Sequence, residues 1–511
     1  MNPFVATKRS EATETRSVKR IRSGTEQQEA LWSALVDGRQ SVLVEARAGS
    51  GKSASCREGM WRILDRHPDT SIRYAVFNTQ NAREFAADCP EGVDVATVHS
   101  FGYKALQKCA GSKLEKNKTY LILDENREGR SMPRYFRKAV AMIVAHGKNQ
   151  NLDPHHPGAA EQLRILALHY DVKVYGRSAW VVSHALEVLR RSLEWTELID
   201  FDDMIWLPAQ LGIPFPDCDL LFLDEVQDWN PAQLALIPLL TRGRVVAVGD
   251  RYQSIYGFRG ADTESIPNLQ AQLSRRPEGL AEMPLTITWR CPVSHVDLAR
   301  QYVSDIQAHP SAIPGELSTT PAHKARYLPG DMVLCAANAP LVRAALNLIG
   351  SRQPAIVRGR SIGDSLVQIL RGLEGCRTMP ELMKGIETWK GRELSRLSEL
   401  DGVEDLMESV EDRASGLAAV CQSCDSPAQV EGAIASLFSD SASVGGMPGY
   451  VVFSTIHRAK GLEAERVHWI QAPMQEPKAD WEVQHRSNLS YVALTRSKRF
   501  LSFVTTESSH E

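Results

Sequence analysis

Two short stretches hold residues whose types and spacing suit phosphate chemistry. Residues 46–53 read Ala-Arg-Ala-Gly-Ser-Gly-Lys-Ser. Gly49 and Gly51 let the backbone turn its amides onto anionic oxygens, so Ala48, Gly49, Ser50 and Gly51 become candidate nucleotide contacts. Lys52 neutralises the β/γ charge and Ser53 can hold Mg²⁺, all at an expected helix N-terminus. The stretch fits the Walker A pattern except that Ala46 stands at its first glycine. The second stretch is Leu221-Phe222-Leu223-Asp224-Glu225-Val226-Gln227-Asp228. There an apolar strand delivers two adjacent carboxylates, Asp224 to coordinate Mg²⁺ and Glu225 to orient or deprotonate an attacking water. A Gly-Lys-Ser triplet alone is common, and an acidic turn alone is usually solvated. Paired behind apolar runs, the two point to nucleotide hydrolysis.

Those groups need a rigid frame. Ser41–Val44 precedes the glycine turn, and further short apolar runs lie at Tyr74–Phe77, Leu220–Leu223, Val245–Val248, Met332–Cys335, Val451–Ser454 and Val467–Ile470. Helical segments separate them, so the expected fold class is α/β, with parallel sheets covered on both faces. From 107 to 200 and from 364 to 445 the chain turns charged and helical in period, as at Arg164–His169, Ala179–Glu194 and Glu381–Leu400. These read as two helical insertions into two α/β domains, one formed by 24–106 with 201–280 and the other by 281–363 with 446–511. Residues 1–23 carry six Lys/Arg against Glu11 and Glu14 and read as a disordered basic arm. Thr25 is the expected cap of the first helix.

Composition narrows the class. With 511 residues, 43% of them hydrophobic, the chain exceeds any hormone, small binding module or disordered tail. Lys+Arg number 59 against 62 Asp+Glu, so a site for a polyanion must be local. Nine cysteines, odd in number and scattered, suit a reducing compartment. Cys421-x-x-Cys424 lacks a second ligand pair and reads as packing. No leader-like or bilayer-length apolar run is present, so the expected setting is soluble and cytoplasmic, nucleoid-associated in a bacterium, without membrane partners.

Longer stretches resemble superfamily 1 helicases of the UvrD/Rep type: Val248-Gly249-Asp250-Arg251-Tyr252-Gln253-Ser254-Ile255-Tyr256-Gly257-Phe258-Arg259-Gly260-Ala261, then Thr455-Ile456-His457-Arg458-Ala459-Lys460-Gly461-Leu462-Glu463, then Tyr491-Val492-Ala493-Leu494-Thr495-Arg496-Ser497. The resemblance spans Gln27 to Arg496 and includes the alanine-led phosphate loop. It implies two RecA-like domains, with ATP and Mg²⁺ bound. Gln27 resembles the glutamine that reads adenine, with Gln28 the fallback in register. Gln253 resembles the link between the γ-phosphate and the DNA site, Arg290 and Arg496 the two arginines that approach the γ-phosphate from the second domain, and Glu463 a ribose or phosphate contact. Trp289 stands where the family usually has tyrosine and offers a larger face for stacking on adenine.

The same resemblance assigns nucleic-acid contacts to Phe77, Asn78, Thr97, His99, Tyr256, Phe258, Arg259, Thr455 and His457. Aromatic faces stack on any base, contributing roughly 1–3 kcal/mol each, while polar groups track phosphates. It implies an ATP-dependent DNA helicase or translocase moving 3′→5′ on single-stranded DNA, acting at single/double-strand junctions, with a possible protein partner in a repair or defence complex. The rival reading is a single-strand-stimulated ATPase that remodels protein–DNA complexes without processive unwinding. The 364–445 insertion is shorter than in full-length family members, and Ala337 precedes Asn338 where the family commonly has arginine.

Overall fold

The structure, a computed structural model, describes residues 20–76, 78–125, 127–170, 172–174, 176–255, 264–351, 353–373, 375–398, 404–438, 449–472 and 480–505. The chain divides into two compact units, Met1–Thr286 and Ile287–Glu511.

In the first unit the strands are β1 (Ser41–Ala46), β2 (Ile72–Val76), β3 (Asp94–Thr97), β4 (Lys113–Leu114), β5 (Leu198–Ile199), β6 (Leu220–Leu223), β7 (Arg244–Gly249) and β8 (Leu280–Leu285). Six of them form one parallel sheet in the order β3-β2-β6-β7-β1-β8, and β4 pairs with β5 apart from it. Successive side chains of a strand point to opposite faces, so Val42 and Val44 enter one apolar core with Leu31, Trp32 and Met60. Leu43 enters the other with Phe101, Leu221 and Val245. Burial on both faces explains the unbroken apolar runs. Helices α1 (Glu26–Val36), α2 (Lys52–Arg66), α3 (Thr79–Ala87) and α4 (Val98–Ala110) contribute to those layers. A capping box between Thr25 and Gln28 starts α1. Arg20 bonds Glu58 and Asp65, which fastens the residues before α1 onto α2.

Helices Lys118–Leu123, Arg134–Asn149, Ala159–His169 and Ser178–Glu194 lie between α4 and β6 and build a core of their own around Val140, Ile143, Leu163, Val188 and Leu189. Beneath them sits a buried ionic cluster. Lys118 Nζ donates to Asp203 Oδ2 at 2.8 Å and to the Ser192 carbonyl at 3.1 Å. Lys148 Nζ meets Asp200 at 2.6 Å and Asp203 at 2.8 Å. Burial works to raise the Asp203 pKa, but the two ammonium groups outweigh it and hold the carboxyl below its ordinary value.

The second unit holds the two-residue strands β9 (Ile287–Thr288) and β10 (Gln307–Ala308), paired with each other. Its main strands are β11 (Glu316–Pro321), β12 (Met332–Cys335), β13 (Ala355–Val357), β14 (Val451–Thr455), β15 (Ala464–Gln471) and β16 (Ser497–Thr505). These six form a parallel sheet ordered β11-β16-β15-β12-β14-β13. Helices Arg360–Arg371, Met379–Ser398, Glu404–Gln422 and Pro427–Leu437 lie between β13 and β14. Cys421 is buried among their apolar side chains.

One expected boundary moves. Leu280–Leu285 pairs residue for residue with β1, so the first unit continues to Thr286 rather than ending at 280. The sequence reading passes over β8 and β11 because Leu-Ala-Glu-Met-Pro-Leu and Glu-Leu-Ser-Thr-Thr-Pro are edge strands, half exposed and broken by proline.

Candidate functional site

In a parallel sheet every strand ends on the same edge, and that edge of the first unit gathers the candidate chemistry. The loop after β1 runs through Gly49 and Gly51, at φ 72° and 81°, a left-handed geometry that glycine adopts without penalty. It delivers the chain into α2 with no side chain capping the helix. Open amides at the start of a fifteen-residue helix suit an anion. Ser50 Oγ is buried without a hydrogen-bond partner, which fits a cradle for an acceptor oxygen. Ser53 is exposed in the first turn.

Lys52 Nζ lies 3.1 Å from Glu225 Oε1 and 3.2 Å from Oε2. Burial pulls the lysine pKa down, but Glu225, Asp250 and Asp224 together raise it, so the ammonium form is secured. Asp224, directly after β6, is buried. Desolvation first and Glu225 second push its pKa up to about 6, against Lys52 and the Tyr74 hydroxyl. That hydroxyl donates to Asp224 Oδ2 at 2.9 Å. Three carboxyl groups face Lys52 and the Arg47 guanidinium, 3.9 Å from Asp250, and the remaining negative charge fits a divalent cation. Ser53 and Asp224 are the residues that would hold Mg²⁺.

Glu225 has φ 52°, one of two non-glycine residues in positive φ among the described residues. That conformation costs roughly 1–2 kcal/mol. It is sustained by bonds on either side: Glu225 N to Asp224 Oδ1 at 2.9 Å, Asp228 N to the Glu225 carbonyl at 3.0 Å, and Trp229 Nε1 to the Asp224 carbonyl at 3.1 Å. The adjacent strand joins in. Gln227 donates from Nε2 to Glu225 and accepts at Oε1 from Asp250 N at 3.0 Å, and Gln253 Nε2 donates to Asp250 Oδ2 at 2.6 Å. Glu225, Gln227, Asp250 and Gln253 therefore form one chain of contacts across the ends of β6 and β7. A Cβ at Gly249 would meet Gln227 Oε1 at 2.7 Å and Val226 Cγ2 at 2.8 Å, so a side chain there would displace the carboxamide that links the two strand ends.

Gln27 is held by Thr286, whose backbone N–H donates to Oε1 at 2.8 Å while Nε2 donates to Oγ1 at 2.9 Å. Gln28 is buried, caps α1 and bonds Ser55, so it is structural and Gln27 is the accessible glutamine of the pair. Tyr74, Gln227 and Asp250 belong to the site but were not singled out from sequence. Gln227 and Asp250 lie inside the motifs quoted above, whereas the Tyr74 contact has no local signature.

In the second unit Arg290, Glu463 and Arg496 converge. Arg290 Nε donates to Glu463 Oε2 at 2.6 Å and its Nη1 to the Thr495 carbonyl at 3.3 Å. Glu463 also pairs with Lys498. Burial acts to raise the Glu463 pKa, and Arg290 and Lys498 outweigh it. Arg496 is fully buried. It donates to the Val492 carbonyl at 3.0 Å, the Leu462 carbonyl at 3.1 Å and Thr495 Oγ1 at 3.3 Å. Trp289 is half exposed beside this group.

Among the nucleic-acid candidates, Asn78 caps α3 by accepting from Asn81 N, and Thr97 caps α4 by accepting from Ser100 N. Burial pushes the His99 pKa down to about 4, keeping it neutral at physiological pH. Thr455 ends β14 and His457 follows it, its ring 5.5 Å from that of His485. In register, Thr455 sits level with Cys335 at the carboxyl edge of the sheet, whereas Glu463 and Arg496 precede β15 and β16 at the amino edge. The second sheet thus carries its two candidate groups at opposite edges. Phe77, Tyr256, Phe258 and Arg259 lie outside the described residues.

Known family models match parts of both units. The family model for the UvrD/REP helicase N-terminal domain matches residues 25–274, and that for the UvrD-like helicase C-terminal domain matches 450–504. Similar proteins include an ATP-dependent DNA helicase PcrA from Leuconostoc citreum, 24% identical over 291 residues, covering 50% of this chain and 36% of the relative. Another is PcrA from Staphylococcus aureus (strain Mu50 / ATCC 700699), 28% identical over 276 residues, covering 47% and 35%. A third is F-box DNA helicase 1 from Gallus gallus, 26% identical over 250 residues, covering 46% and 24%. The matched stretch thus spans about a quarter to a third of each relative's own length. No helix among the described residues is long and apolar enough to cross a membrane.

Proposed function

Because the chain belongs to the UvrD/Rep-type superfamily 1 helicases, we propose that it is an ATP-dependent motor that hydrolyses ATP on single-stranded DNA and moves along it, 3′→5′ by resemblance. The observation that carries this reading is the Lys52–Glu225 contact at the uncapped start of α2, with Asp224 behind it. In the proposed cycle the α2 amides and Lys52 bind the β/γ-phosphates, and Glu225 takes the proton of the attacking water. Bound Mg²⁺ would offset phosphate charge. Arg290 and Arg496 would stabilise the transition state on the γ-phosphate, a role worth roughly 10³–10⁵ in rate. Arg496 would then exchange backbone carbonyls for phosphate oxygens. Closure of the two units on ATP and their release after hydrolysis would drive stepping, with Gln253 linking the γ-phosphate to the strand through Asp250 and Gln227. The proposed setting is work on DNA in repair, replication or defence, which the family membership supports.

The test is multiple-turnover phosphate release with and without single-stranded DNA, run beside translocation on a labelled strand. DNA-stimulated turnover with directional movement is expected. Stimulation without movement, or movement 5′→3′, would overturn the motor or its polarity respectively. One observation favours translocation without processive unwinding: residues 364–445 carry seven Lys/Arg against fifteen Asp/Glu, a poor surface for duplex DNA. Strand displacement on 3′-tailed and blunt duplexes separates the two readings.

A further inference from the structure

Trp289 is 50% exposed, yet one face of its indole is covered. The His309 imidazole stacks on it with ring centroids 3.7 Å apart and planes 23° apart. Backbone pairing brings these distant residues together. Ile287 and Thr288 pair with Gln307 and Ala308, and His309 N donates to the Thr288 carbonyl at 3.1 Å. On the far side, Val293 N and Ser294 N donate to the carbonyls of Ile313 and Pro314 at 3.0 and 2.9 Å. Segment 307–314 is thus fastened both before and after the Trp289–Pro292 turn.

The imidazole is itself fixed. Its Nδ1 accepts from Ser311 N at 3.2 Å and lies 2.7 Å from Ser311 Oγ, which places the ring proton of the neutral form on Nε2. An exposed tryptophan on a turn would otherwise lose rotamer freedom on binding a ligand.

We propose that His309 is a positioning residue for ATP. It holds Trp289 as a one-sided stacking platform, with the covered face on His309 and the open face free for the purine. This rests on the reading of Trp289 as the base-stacking residue. Preorganisation of this kind acts on nucleotide affinity and leaves the chemical step alone.

The experiment measures the Kd for ATP by equilibrium titration, with KM and kcat, for the full chain and for Trp289→Ala, His309→Ala, His309→Phe and the Trp289→Ala/His309→Ala double variant. Melting curves check the fold of each. Stacked aromatic pairs and base stacking together set the scale: about 5–150-fold weaker ATP binding for Trp289→Ala, and about 2–10-fold for His309→Ala with kcat within about twofold. His309→Phe, which keeps a stacking ring, should restore the affinity. In the Trp289→Ala background His309→Ala should add nothing further. If Trp289→Ala leaves affinity unchanged, the base-stacking reading falls and this inference with it. If Trp289→Ala weakens binding but His309→Ala does not, or weakens it equally in both backgrounds, the positioning role alone is overturned.

Discussion

Among the described residues the first unit contains two lysine–carboxylate centres, a part-buried one at Lys52 and a buried one at Lys118 and Lys148, and they are built differently. Under the helical insertion, two ammonium groups share Asp203, Asp200 and a backbone carbonyl, and Asp203 is held below its ordinary pKa. Each ammonium there has a carboxylate oxygen within 2.8 Å, while burial first and Asp200 second push the adjacent Asp202 up to about 6. At the phosphate loop one ammonium faces three carboxyl groups, Asp224 is pushed up to about 6, a serine hydroxyl is buried without a partner, and Glu225 sits in a strained backbone conformation. On the proposed function, the contrast is between a centre whose lysines are paired within the fold and one whose free hydroxyl and strained carboxylate are left for a polyphosphate and its cation.

The widest separation between the two centres should come from Lys52→Ala. Loss of the ammonium is expected to cut DNA-stimulated kcat at least about 10²–10³-fold, with a smaller loss of stability than that of Asp203→Ala. Phosphate release and thermal melting, run on the same preparation, read both quantities. A large fall in stability with hydrolysis retained would reverse the assignment of the two centres.

Asp203→Ala should do the opposite. It strands the buried Lys118 ammonium, leaves Lys148 with Asp200 alone, and is expected to cost about 3–5 kcal/mol of stability. Below its lowered melting temperature the folded protein should keep kcat within about twofold. Denaturant titration and turnover at low temperature check this, and a selective loss of turnover would give Asp203 a part in the chemistry.

The smallest effect concerns acid. Asp224, folded at about 6 against an ordinary 3.8, is destabilising when ionised, a cost absent below the lower value and complete above the higher. Asp203, with its pKa depressed, contributes stability that is present above its ordinary value and lost as pH falls through the folded one. In kcat/KM, protonation of Asp224 should appear as an acid limb with an apparent pKa near 6. Tyr74→Phe removes a donor to the carboxylate and should move that limb upward, with less than about tenfold loss at neutral pH. A limb that stays in place in the variant would separate Tyr74 from the titration.

Much of this was legible in sequence, where contact follows chain adjacency. Lys52 and Ser53 sit beside the glycines that orient them, and Asp224 and Glu225 follow an apolar strand, so pattern alone singled out the two stretches that the structure brings together. The fold class followed from strands buried on both faces. What escaped depends on tertiary neighbours. Tyr74 reads as one more apolar strand residue, and only the β2–β6 pairing brings its hydroxyl to Asp224. His309 lies twenty positions beyond Trp289 in a segment with no periodicity. Arg496 was legible as an arginine in a motif, but its burial against backbone carbonyls was not, because helix-end carbonyls carry no sequence signature.

The strand order also bears on biogenesis. β1, which leads into the phosphate loop, has β7 and β8 as its only sheet neighbours, and these are the last strands of the first unit to leave the ribosome. At about 5–20 residues per second, the apolar run ending at Ala46 waits on the order of ten to forty seconds before Gly249 is even synthesised. Throughout that interval a nascent chain displays an unpaired hydrophobic strand. Translation speed and early chaperone capture should therefore govern the yield of functional protein.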